Sequence, residues 1–217
     1  YEASVELYYK DFQNQIDYID NADLFFNTQL EGDLLSGDGR AYGVEWYIKK
    51  NTGNLTGWVS YTLAKTERQV NGINRDAWYP TRFDRAHNLS VVSSYELTEK
   101  WSFSANFVFS SGTPATFPTN RYEIQGVVLP HNDGDARNNY RIPNYHRLDI
   151  SATLTPEKNK DRKFNGEWVF SVYNVYSRRN PFSIFFEQDN DSPRVTNAVR
   201  FAVIGSFVPA VSYNFNF

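Results

Sequence analysis

The stretch WSFSANFVFS, residues 101–110, sets Trp101, Phe103, Ala105, Phe107 and Phe109 against Ser102, Ser104, Asn106 and Ser110. Successive side chains of an extended chain point to opposite faces, so this two-residue beat reads as a β-strand with one greasy and one wet side. Seven further segments keep the same beat. They are EASVELYYK from Glu2, AYGVEWYIKK from Ala41, LTGWVSYTLA from Leu55, HNLSVVSSYEL from His87, HRLDISATL from His146, EWVFSVY from Glu167 and the terminal AVSYNFNF from Ala210. Most are near ten residues, the length that crosses about 25 Å of hydrocarbon when a strand is tilted by about 40–45°.

The charges obey the pattern. Glu6, Lys10, Glu45, Lys49, Glu96, Arg147, Asp149 and Glu167 all fall on the polar faces. The connections alternate as well. Those at 51–54, 98–100 and 156–165 are short, whereas those near 12–39, 67–86, 112–143 and 177–198 are long. Tight turns at one end and extended loops at the other are the asymmetry of an outer-membrane barrel. Mean hydropathy is -0.58 while aromatics make up 17% of the chain. A transmembrane β-barrel reconciles the two, because only its lipid face is apolar. No apolar run approaches the roughly 20 residues of a membrane helix.

Other classes find little support. There is no cysteine, hence no disulfide framework or thiolate metal site, and a net charge of -3 does not suit a nucleic-acid binder. No nucleotide fingerprint, zinc-protease motif or nucleophile elbow is present. The chain has no methionine and begins at Tyr1, which points to removal of something upstream. A self-contained small outer-membrane barrel for adhesion or structure, or a soluble β-sandwich that binds carbohydrate, also alternates and stays as an alternative.

Four stretches carry a family resemblance. WYPTRFDRAHNLS (78–90), RNNYRIPNYHRLDISA (137–152), VYNVYSRRNPFS (172–183) and the terminal VPAVSYNFNF are similar, in order, to the C-terminal part of TonB-dependent outer-membrane receptors of Bacteroidota type. SSGTPATFP (110–118) fits the same pattern more loosely. The resemblance implies an all-β, antiparallel transmembrane barrel of 22 strands, of which residues 1–217 supply the last eight. It implies a plug domain and earlier strands outside this chain, and energised uptake of a bulky nutrient such as a glycan, siderophore or peptide. It also implies coupling to TonB–ExbB–ExbD, long loops outside the cell, the C-terminus at the periplasmic rim, and in related systems a surface lipoprotein lid. It implies neither an enzyme nor a cofactor. The first and last strands would then have open edges, which a bilayer does not tolerate.

Candidate site residues follow from these placements. Trp78, Tyr79, Arg82 and Phe83 form an aromatic-plus-arginine group in an outer loop, suited to stacking on a ligand or to loop packing. Asp84, Arg85 and His87 at the mouth of the fourth strand, with His146, Arg147 and Asp149 at the sixth, form a polar set that faces substrate or plug, or that braces the wall. Tyr213, Phe215 and Phe217 mark a closing strand, and Phe217 fits the terminal aromatic that barrel-assembly machinery reads. Phe25, Phe26 and Leu30 in the first long loop have the same ambiguity as the Trp78 group. The alternate acids His131, Asp133, Asp135 and Glu187, Asp189, Asp191 lack the twelve-residue calcium pattern, so no metal is expected.

Overall fold

The computed structural model describes residues 1–217 except 21, 23–29, 126, 133–135, 157–164, 190–191, 193–194 and 217, with backbone only at 127, 129, 165 and 216. Eight strands follow one another in a single antiparallel sheet. They are β1 (Glu2–Tyr18), β2 (Leu34–Lys50), β3 (Leu55–Val70), β4 (His87–Glu96), β5 (Trp101–Ser110), β6 (Tyr145–Leu154), β7 (Asn165–Tyr173) and β8 (Val208–Asn216). Each pairs with the next in the chain, and a two-residue strand at Tyr79–Pro80 is added beside the end of β3. Among the described residues β1 pairs only with β2 and β8 only with β7, so the sheet does not close on itself.

Register decides which residues share a face. One face carries the row Leu55, Tyr95, Phe103, Ala152, Phe170, Val211, and beside it the row Trp101, Leu154, Trp168, Tyr213. Phe103 and Phe170 are 42% and 41% exposed, and no second sheet or helix covers them among the described residues. This face is an uncovered apolar belt. The opposite face carries the row Thr56, Ser94, Ser104, Ser151, Ser171, Ala210. Above that small-residue row lie Asn106 opposite Asp149, and Val108 opposite Arg147. A sandwich core would bury one face of each sheet; here neither face is buried.

The turns are set by local chemistry. Between β2 and β3, Gly53 takes φ +88°, a left-handed conformation that L side chains rarely adopt. Between β4 and β5, the Thr98 hydroxyl oxygen accepts from the Trp101 amide at 3.0 Å and the Lys100 amide at 3.3 Å.

The first three strands are longer than the alternation suggests. They run 17, 17 and 16 residues, so the segments expected to be loop at 12–18, 34–39 and 67–70 are ladder. A bulge between Phe12 and Gln15, with Asn14 at φ +55°, resets the facing of β1. The extensions stand beyond the apolar belt, and their sequence keeps no two-residue beat. Two long loops also contain hairpins that the sequence reading leaves as loop: Asn120–Ile124 with Val127–His131, and Ser183–Gln188 with Thr196–Phe201.

Among the described residues the buried core is small and lies at the end of the sheet that carries the long connections. Val70, Ile73 and Tyr79 are 0%, 0% and 1% exposed, with Leu35 packed against them. Several polar groups in the connections at this end are buried as well, among them Asp84, Arg137 and Asn174.

Candidate functional site: the outer mouth

Asp84 closes a turn, its amide donating to the Thr81 carbonyl at 3.0 Å. Its carboxylate accepts from the Thr66 amide at 2.6 Å and from the Arg141 guanidinium. Arg141 also donates to the Gly112 carbonyl at 3.1 Å. One buried carboxylate thus ties the loop before β4 to β3 and to the strand pair Pro114–Ala115 with Tyr140–Arg141. Gly112 permits the close approach: a Cβ there would lie 1.5 Å from the Ile142 carbonyl oxygen.

Arg147 and Asp149 pair at 2.9 Å on the polar face of β6. Arg147 donates to the hydroxyls of Tyr145 at 3.0 Å and Tyr173 at 2.8 Å, and its guanidinium lies 4.2 Å from the centre of the Tyr173 ring. The other carboxylate oxygen of Asp149 accepts from the Asn174 amide at 2.9 Å. Asn174, 1% exposed and at φ +55°, donates to the carbonyls of Arg178 and Ser206 and anchors the last long loop. The sequence reading passed over Asn174; an asparagine directly after a strand, able to take a left-handed turn, was the available signal.

A cavity of about 390 Å³ opens above this pair. Its floor is Tyr145, Arg147 and Tyr173, and Arg85, Phe182, Val203 and Ile204 line its walls. Arg85 donates to the Ser110 hydroxyl at 2.9 Å and makes no ion pair among the described residues. Phenols, an uncompensated guanidinium and an exposed apolar lip could hold a polar ligand that has an apolar side.

The remaining candidates separate. His87 does not join the Asp84 network; it continues the apolar face beyond Leu89, where its Nδ1 lies 2.7 Å from the Tyr61 hydroxyl. His146 shares that face and meets the Tyr176 hydroxyl at 2.8 Å. Histidine at a strand end reads as polar from sequence alone, but register puts both on the belt side. Trp78 stacks 4.1 Å from the Arg40 guanidinium, which extends the apolar face of β2 and pairs with Glu67 at 2.8 Å. Tyr79, read as suited to ligand stacking or to loop packing, is buried, which fits packing. Its hydroxyl donates to Asp17 at 2.7 Å, and burial, helped by that carboxylate, raises its pKa well above the ordinary tyrosine value. Arg82 and Phe83 stay exposed. So the expected four-residue cluster does not exist as a unit.

Arg137 has no counterpart in the sequence reading beyond its place in a motif. It is 8% exposed and bonds Asp20 through Nε at 3.0 Å, Asp17 through Nη1 at 3.3 Å and the Tyr18 carbonyl at 2.7 Å. These contacts span more than a hundred residues of sequence, a separation no local pattern encodes. Tyr213 and Phe215 lie on the belt, with Tyr213 packed 4.7 Å from Trp168. Phe217, Phe25, Phe26, Asp133, Asp135 and Asp191 lie outside the described residues. Among the described residues no acidic or histidine cluster is placed to hold a metal. Asp189 instead caps its own hairpin, accepting from the Ser192 amide at 2.9 Å.

No family model matches the chain, and no curated protein sequence matches it. Among solved structures, the ferric-catecholate import receptor Fiu from E. coli K12, in its closed form, is similar with a TM-score of 0.56. The likeness covers 99% of this chain at 14% identity. The fold is that of a receptor barrel. The chain spans 25% of the length of the Fiu chain, so it corresponds to part of such a barrel's wall.

Proposed function

We propose that residues 1–217 are the C-terminal wall of a TonB-dependent outer-membrane transporter of Bacteroidota type, the last eight strands of a 22-stranded barrel. The observation that carries this reading is the unclosed sheet itself. Among the described residues its apolar face is uncovered and both edges lie open, and its fold is similar to that of a receptor over 99% of the chain. Earlier strands and a plug complete the barrel, the short turns and C-terminus face the periplasm, and the mouth described above faces outward. TonB–ExbB–ExbD supplies the energy, and a surface lipoprotein lid is an accessory partner. The role is passage and recognition of a bulky nutrient, not catalysis.

The test is cellular. The full protein is expressed in an outer-membrane host, fractionated, and run on gels with and without boiling. The reading requires an outer-membrane, heat-modifiable species whose residue Phe103, replaced by cysteine, reacts with a lipid-soluble but not a water-soluble maleimide. Recovery as a water-soluble protein with that cysteine shielded would end it.

A further inference from the structure

A second cavity, of about 290 Å³, lies at the outer end beside the exposed side chains of Arg82 and Phe83. Its wall includes Thr81, which is only 7% exposed and whose Oγ1 is buried with no hydrogen-bond partner. A buried hydroxyl left without a partner is costly, and native structures almost always supply one. Around it, Arg68 and Arg137 are held by Asp17 and Asp20 at 2.9–3.9 Å. Asp17 is further occupied by the Tyr79 hydroxyl and the Tyr18 amide. Arg82 has no hydrogen bond or ion pair among the described residues. Among the described residues three guanidiniums therefore stand beside two carboxylates that are already engaged, and the Arg82 charge has no paired carboxylate. Beside it the Phe83 ring is 81% exposed and Ile16 is 60% exposed.

We propose that this cavity binds a ring that carries a carboxylate. The oxyanion accepts from Arg82 and from the Thr81 hydroxyl, and the ring lies on Phe83 and Ile16. The volume lies at the lower limit of ligand pockets, about 300 Å³, so it takes one acidic ring and not a whole bulky cargo. The receptor reading supplies only the side from which the ligand arrives.

The experiment uses the full detergent-solubilised protein and fluorobenzoate observed by fluorine NMR, with unlabelled benzoate, benzamide and acetate as competitors. Benzoate should displace the probe, and benzamide and acetate should do so at least about tenfold more weakly, because one lacks the charge and the other the ring. Arg82→Gln, at an exposed position, should weaken binding about tenfold, and the near-isosteric Thr81→Val about threefold. Equal displacement by benzamide, or affinities in both variants within about a factor of two of the parent, overturns the proposal. Because the assay needs neither a membrane nor an energy source, its failure is separate from failure of the transport reading.

Discussion

Asp84 sits 1% exposed between the Thr66 amide and the Arg141 guanidinium, and its replacement tests how the mouth is held. Asp84→Ala leaves both donors without their acceptor. Breaking a buried pair from one side costs about 3–5 kcal/mol, reduced here because Arg141 is 38% exposed and can turn to water. A lower melting temperature of the purified barrel, with increased protease cutting near residues 78–86, is the expected outcome. Tyr79 sets a pH limit. Its pKa is raised in the folded state, so its contribution is intact below the ordinary tyrosine value of about 10 and is lost as pH rises through the higher folded value. Tyrosinate absorbance during alkaline titration should include a late component that coincides with loosening of the mouth, and Tyr79→Phe should reduce that component.

Among the elements, the belt strands were the most legible. Phe103, Phe170 and their neighbours keep a strict beat because the strand's two faces differ, one an apolar belt and the other a row of small polar residues. The extensions of β1, β2 and β3 carry no such constraint, and stretches such as QNQID and SGDGR read as loop although Gln15–Asp17 and Ser36–Arg40 are paired. The hairpins within the outer loops are too short for periodicity to declare them. At the site, the spacing alone puts Arg147 and Asp149 on one face of the strand, and the structure adds that they pair with each other. The partnership of Arg137 with Asp17 and Asp20 could not be read from spacing, since it is made by a distant loop folding over the end of β1. Two predictions belong here. Phe103→Lys on the belt should cost about 2–4 kcal/mol and abolish outer-membrane recovery, whereas Ser104→Lys on the opposite face should leave recovery near the parent level. Gly112→Ala forces the exit of β5 away from the chain before β6 and should destabilise by about 1–3 kcal/mol or more, read as a lower melting temperature.

For the molecule as a whole, the unclosed sheet is the dominant fact. Each open edge is a line of backbone donors and acceptors that costs several kcal/mol per unsatisfied group within hydrocarbon. Residues 1–217 expressed alone should therefore not give a monomeric, heat-modifiable barrel. Size-exclusion chromatography and unboiled gels should show aggregates or nothing recoverable, and co-expression of the remaining strands should rescue the species.

The serine row from Thr56 to Ala210 has a mechanical consequence. It offers a neighbouring body no deep socket and no fixed charge, only short hydroxyls such as Ser94 and Ser104, 3.5 Å apart. Contacts of that kind exchange with water at roughly 1 kcal/mol each. A domain resting against this band can therefore slip along it under a modest pull, while the charged rim above keeps its grip.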